Sequence, residues 1–356
     1  MLRKLSHIIF HLLASLLFLV SCTSQPPPPP STLFYIYRFD PPAFVELGTN
    51  FEPVREIPFS VPVNCSLFNV FPAPVGKFLL IELGCPNGQT VLFLDTDSGS
   101  ATQPVSDSDS HFLAWSSEGE SAYLKIDSFD NAQIVRVALD GRRKKTEINI
   151  WTYDLATRPE SDDYVFSFSR GLGYGSEMTL SQNHGRDFQQ LYVDRFNYLS
   201  FARFSPDGDQ IAFIKIPDSF TPFTVGELWI MDADGSNARK LADVDSGHGY
   251  AANWSPDGKW IAFVKRENSQ DEKADRASES LVSNIYLVDV KSGKLKQITF
   301  FTDGRVETPH WAPDGNTLAF NKVLNGRMDV QIAEIRSGEI RSLSPEPACC
   351  PAWMRK

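Results

Sequence analysis

The sequence predicts an all-β chain folded as a β-propeller of four-stranded blades. Three observations lead there: a repeated Pro-Asp-Gly turn between short apolar runs, a spacing of 42 to 57 residues between copies, and a composition rich in rings and turn formers. Of 356 residues, 12% are aromatic, and 22 Gly with 24 Pro supply frequent turns. Such a length suits a repeat fold better than one ordinary core.

Three copies of the repeat overlay directly: Phe204 to Phe213, Trp254 to Phe263 and Trp311 to Phe320. In each, an aromatic residue ends one strand, a Ser/Ala-Pro-Asp-Gly turn follows, and Ile/Leu-Ala-Phe forms the second strand. Pro sets φ at the start of the turn, Asp bonds nearby backbone, and Gly takes the φ > 0 position. Each copy continues into a third run (Glu227 to Asp232, Asn284 to Asp289, Asp329 to Glu334) and a fourth (Ala238 to Leu241, Leu295 to Thr299, Ile340 to Leu343). Alternating apolar residues in these runs give period-two strands. A lone four-stranded sheet cannot bury both faces, so the units must stack, and radial stacking makes a propeller.

Fainter copies precede these, at Trp115 to Leu124, Thr157 to Phe166 and Pro72 to Ile81. Anchors at 72, 115, 157, 204, 254 and 311 are separated by 43, 42, 47, 50 and 57 residues, and the next falls 42 further on, at Trp353. The C-terminal end supplies one inner strand. Leu33 to Phe39, Ala43 to Leu47 and Val54 to Phe59 supply the missing three. Six continuous blades and a seventh shared by the two ends follow, which closes the ring without a free radial edge. Six blades is the alternative, if the N-terminal strands only cap a neighbour.

These Ser-Pro-Asp-Gly-x-x-Ile-Ala-Phe units resemble the WD40-like repeats of TolB-type propellers, found also in the propeller halves of prolyl-oligopeptidase relatives. The resemblance is tight over Leu199 to Leu343 and loose over Phe34 to Asp194. It implies a propeller and export, and no particular partner.

The N-terminus reads as an address. Arg3 and Lys4 precede an apolar run from Ile8 to Val20, too short for a comfortable membrane span. Leu19-Val20-Ser21-Cys22 resembles the lipobox of bacterial lipoproteins. That resemblance implies acyl chains (palmitate among them) on a mature N-terminal Cys22, holding the protein to the cell envelope at the outer membrane or the outer face of the cell membrane. The expected organisation is a signal peptide over 1–21, a lipidated proline-rich linker over 22–32 and one propeller over 33–356. The five prolines Pro26 to Pro30 make a stiff polyproline II spacer. Cys65, Cys85, Cys349 and Cys350 remain for disulfides, with three pairings open and a staple across the ring closure the attractive one. Their spacings match no common zinc pattern.

Net charge −10 argues against a nucleic-acid partner. The one basic cluster, Arg142 to Lys145, reads as a solvated hairpin tip. Two loops joining second to third strands stand out. Arg266 to Ser283 is charged, with Asp271 and Glu272, and Ile216 to Gly226 carries Phe220 and Phe223. With His248 and Tyr250 in a blade-to-blade loop, they form a candidate binding face for another envelope protein or an extracellular polymer; tolerated surface insertions are the plainer reading. The turn residues Asp207, Asp257 and Asp314 recur once per blade, which marks a structural role rather than a metal site. The Asp232 to Asn237 segment starts like a calcium loop but lacks the downstream Glu, and fits a hairpin. His248 and His310 lie near one end of the channel, where propeller-fold pectate-degrading lyases of this repeat type bind a metal; a metal-dependent carbohydrate lyase is therefore the alternative function. No cofactor is expected. No Gly-x-Ser-x-Gly elbow is present, and with the last anchor at blade closure no appended hydrolase domain is expected. The expectation is a non-enzymatic binding scaffold.

Overall fold

A computed structural model describes residues 32–355, apart from 106–108, 129–130, 170–173, 184 and 247–249, and without the side chains of 128, 131 and 143–147. The leader, Cys22 and the proline run lie outside the described residues, as does His248.

The described chain is a ring of seven four-stranded antiparallel sheets. It starts with β1 (Thr32–Arg38), β2 (Ala43–Leu47) and β3 (Pro53–Pro58). Blade one holds β4 (Ser66–Pro72), β5 (Phe78–Cys85), β6 (Gly88–Asp95) and β7 (Ala101–Thr102). Blade two holds β8 (Asp109–Trp115), β9 (Ser121–Ser128), β10 (Asn131–Ala138) and β11 (Arg143–Ile148). Blade three holds β12 (Thr152–Thr157), β13 (Tyr164–Ser169), β14 (Ser176–Gln182) and β15 (Asp187–Asp194). Blade four holds β16 (Asn197–Phe204), β17 (Gln210–Pro217), β18 (Val225–Asp232) and β19 (Arg239–Asp245). Blade five holds β20 (Asn253–Trp254), β21 (Trp260–Arg266), β22 (Ser283–Asp289) and β23 (Leu295–Gln297). Blade six holds β24 (Arg305–Trp311), β25 (Thr317–Leu324), β26 (Arg327–Glu334) and β27 (Ile340–Ser342). The last strand, β28 (Ala348–Arg355), pairs with β1 and completes the seventh blade in the order β28-β1-β2-β3. Seven blades and shared closure are both as the repeat spacing predicts.

Second strands depart from simple alternation. β5, β17, β21 and β25 are buried almost end to end, because neighbouring blades cover both their faces, so they read as continuous apolar runs. The outermost strands β15, β23 and β27 are exposed or half-buried.

The repeat anchors also join blade to blade. Trp115, Trp254 and Trp311 each donate the indole N–H to a carbonyl on the preceding innermost strand: Phe71 at 3.2 Å, Arg203 at 3.0 Å and Asn253 at 3.1 Å. Thr157 Oγ1 does the same toward the Trp115 carbonyl at 2.9 Å. Trp353 instead stacks on Phe34 at 4.0 Å. The turn aspartates act locally. Asp207 and Asp257 accept from Ser205 and Ser255, and all three accept a backbone N–H two residues on. Gly208, Gly258 and Gly315 sit near φ +70° to +74°, where a side chain would be strained. The Asp232 to Asn237 segment is the third hairpin of blade four, with Asn237 Nδ2 donating to Asp232 Oδ2 at 2.6 Å.

The disulfides correct the expected staple. Cys65 pairs with Cys85, 20 residues apart, and Cys349 with Cys350. β1 and β28 are joined by backbone pairing and by the Phe34–Trp353 stack, and among the described residues no disulfide crosses the closure. By loop-closure entropy, the Cys65–Cys85 bond contributes about 3 kcal/mol.

Candidate functional site

The innermost strands share an irregularity. In blades one, two, three, four, six and seven, pairing to the second strand slips by a bulge at Phe68, Leu113, Tyr153, Phe201–Ala202, Thr308–Pro309 and Cys350–Pro351. In blade five, only Asn253 and Trp254 pair, so Tyr250 and Ala251 are left outside the ladder. Phe201, Thr308 and Cys350 reach it by adopting φ of +56°, +47° and +63°. Bulges re-aim side chains, and they concentrate beside sites. All of these bulges face one cavity of about 860 Å³, lined by the innermost strands of every blade.

Its wall is divided chemically. Phe39, Leu67, Phe68, Phe71, Phe112 and Trp115 make an apolar side, with Phe71 stacked on Phe112 at 4.3 Å. Asp154, Arg203, Asn253, Glu307, His310 and Asn321 make a polar one. Arg203 Nη1 lies 3.5 Å from Asp154 Oδ2, an oxygen with no hydrogen bond among the described residues. Burial raises the Asp154 pKa, with Arg203 opposing. Burial, then the Arg203 charge, pushes His310 down to about 4, so its ring is neutral near pH 7. Glu82 accepts the Phe112 N–H at 3.3 Å and the Asn69 amide at 3.4 Å, and burial raises its pKa. Tyr250 is raised by burial and by Glu307, which also pairs with Arg305 at 2.7 Å. Carboxylates outnumber cations along this wall, so the cavity suits hydroxyl-rich, uncharged ligands better than polyanions.

Of the predicted site residues, Tyr250, His310, Cys349 and Cys350 line the cavity. Phe220, Phe223, Asp271 and Glu272 lie elsewhere, on two loops that touch: the Phe223 N–H donates to the Asp275 carbonyl at 3.2 Å. Arg266, its side chain 1% exposed, pairs with Asp245 at 3.1 Å and Asp275 at 2.6 Å. The charged loop is thus tied to the body. Phe220 is fully exposed. Among the described residues, the one trio of possible metal ligands is Asp109, His111 and Asp127, none of which lines the cavity that His310 lines. Lys125 Nζ sits 3.1 Å from Asp127 there, an ion-pair arrangement. The bulge residues Phe68, Tyr153 and Phe201 were missed by sequence reasoning. Their common signal is position, three or four residues before each anchor.

No protein-family model matches the chain. Over 143 residues it is 30% identical to the uncharacterized peptidase YuxL of Bacillus subtilis, covering 33% of this chain and 21% of that protein. It is 23% identical to dipeptidyl-peptidase 5 of Porphyromonas gingivalis, covering 39% and 20%. The chain therefore spans about a fifth of these curated relatives. Among solved structures, TolB from Acinetobacter baumannii matches at TM-score 0.51 and 15% identity, over 88% of this chain and 78% of that one. An oligogalacturonate lyase in complex with manganese matches at TM-score 0.60 and 14% identity, over 86% and 87%. A puromycin-hydrolyzing peptidase of Mycobacterium tuberculosis matches at 0.59 and 12%, over 86% and 50%. The molecule is a TolB-like seven-bladed propeller.

These relatives overturn the expectation of a non-enzyme: two are named peptidases, and the fold is shared with a lyase and a further peptidase. That expectation rested on the closed scaffold, the unequal loops and missing hydrolase features, and a missing serine elbow speaks to one reaction class only.

Proposed function

We propose that this propeller, held at the cell envelope by lipid on Cys22, takes an uncharged segment of an extracellular glycan into its central cavity. The observation that carries this reading is the ring of bulges, which aims residues of all but one innermost strand into one amphipathic cavity. Sugars have apolar C–H faces that pack on rings such as Phe68 and Tyr153, and hydroxyls that bond Asp154, Asn253, Glu307 and Asn321. Pockets of this size with a few convergent polar groups are the usual ligand sites.

Calorimetric titration with a panel of neutral oligosaccharides tests it. At least one member binds, and Tyr153→Ala weakens it roughly tenfold, about 1.4 kcal/mol, with circular dichroism unchanged. Silence across the panel, or a variant that binds equally well, defeats the reading.

Protein docking on the loop face is a second reading, favoured by the fully exposed Phe220 beside the anchored acidic loop. A crosslinked envelope partner lost on Phe220→Ser supports it, and one retained rules it out.

A further inference from the structure

The cavity wall at the closing blade is a disulfide between neighbouring residues. Cys349 and Cys350 are bonded to each other, and both line the cavity. Chain-entropy stabilisation by a disulfide grows with the loop it closes. Cys65–Cys85 has such a loop, whereas a sequence separation of 1 closes none. Ring closure is already made by β1 pairing with β28. The bond therefore acts locally.

Local consequences are visible. Cys349 is buried in the hydrophobic cluster on which Leu67, Met328, Cys65, Cys85 and Cys350 pack, while Cys350 stays partly exposed and lines the cavity. Cys350 sits in the bulge at φ +63°, a conformation that residues other than Gly seldom hold without support. Its N–H donates to Asn321 Oδ1 at 3.1 Å, and Asn321 Nδ2 donates to Thr308 Oγ1 at 3.3 Å. Two bulges of adjacent blades are thereby linked through one buried amide. A disulfide is polarisable, weakly accepting and otherwise apolar, a surface that packs on the C–H face of a sugar.

We infer that the closed Cys349–Cys350 disulfide is a ligand-contacting part of the cavity wall, and that its reduction by a dithiol weakens binding. This rests on reading the cavity as the ligand site. In the reduction, a thiolate of the dithiol attacks one sulfur, forms a mixed disulfide and releases the other cysteine as a thiolate, which takes a proton. The second thiol of the reductant then displaces the remaining cysteine. Two electrons and two protons pass to the protein, and the reductant leaves as its own disulfide. Cys350 is then free to leave positive φ, its N–H parts from Asn321, and the sulfur face splits into two thiols.

The test compares three states of the whole protein: oxidised, dithiothreitol-reduced, and the Cys349→Ala/Cys350→Ala variant, which leaves Cys65–Cys85 intact. Amide hydrogen exchange is followed at Cys350, and affinity is measured for the oligosaccharide panel. Exchange at Cys350 rises at least tenfold in the reduced and variant proteins, and affinity falls at least tenfold. Exchange or affinity within twofold of the oxidised protein overturns the inference. If the oxidised protein binds no oligosaccharide, the glycan reading falls separately. The exchange arm then decides: a tenfold rise upholds the bond as what holds this wall, and no change overturns it.

Discussion

His310→Gln gives a pH signature that can be worked from the structure. The ring lines the cavity, and burial with the nearby Arg203 lowers its pKa from 6.5 to about 4. Between those two values the unfolded chain binds a proton that the folded chain refuses, so stability falls as pH falls. Each pH unit in that window corresponds to about 1.4 kcal/mol. From pH 7 to pH 4.5, His310 therefore removes on the order of 2 kcal/mol, fully present above the unfolded value and lost toward the folded one. A glutamine side chain cannot titrate, so urea unfolding of the variant at the two pH values should show a drop smaller by about that amount. Comparing variant with wild type cancels the raised Asp154 and Glu82, which titrate in both proteins. An equal drop in both would refute the account of a desolvated, neutral ring.

Two further outcomes follow from the packing. Asp245→Ala strips one partner from a guanidinium whose side chain is 1% exposed, and should cost about 3–5 kcal/mol in urea unfolding. Trp254→Phe keeps the ring and loses the indole bond to the Arg203 carbonyl. About 1 kcal/mol should go, with exchange rising at the junction of blades four and five.

Much of the fold was legible because each repeat carries its own turn chemistry. Ser205 with Asp207 and Ser255 with Asp257 bond within their turns, so local sequence suffices to announce them. Closure was legible too, since Trp353 arrives at the expected spacing and β1 is apolar from Leu33 to Tyr37. The cavity was not legible for a physical reason. Its shape depends on where pairing slips, and the bulged residues are Phe, Leu, Tyr, Thr and Cys, with no shared identity. Positive φ at Phe201, Thr308 and Cys350 comes from tertiary packing rather than from Gly. Cysteine pairing likewise depends on folded distances that spacing alone does not give. The loops around Phe220 and Asp271 were visible because length and charge are sequence properties, which drew weight toward that face and away from the channel.

Hydrogen exchange of the whole protein with and without a bound oligosaccharide tests the central claim most directly. The account predicts new protection in peptides covering 66–72, 109–115, 152–157 and 197–204, the bulged strands around the cavity. Protection confined to the loops at 218–224 and 267–282, with the inner strands unchanged, would contradict it.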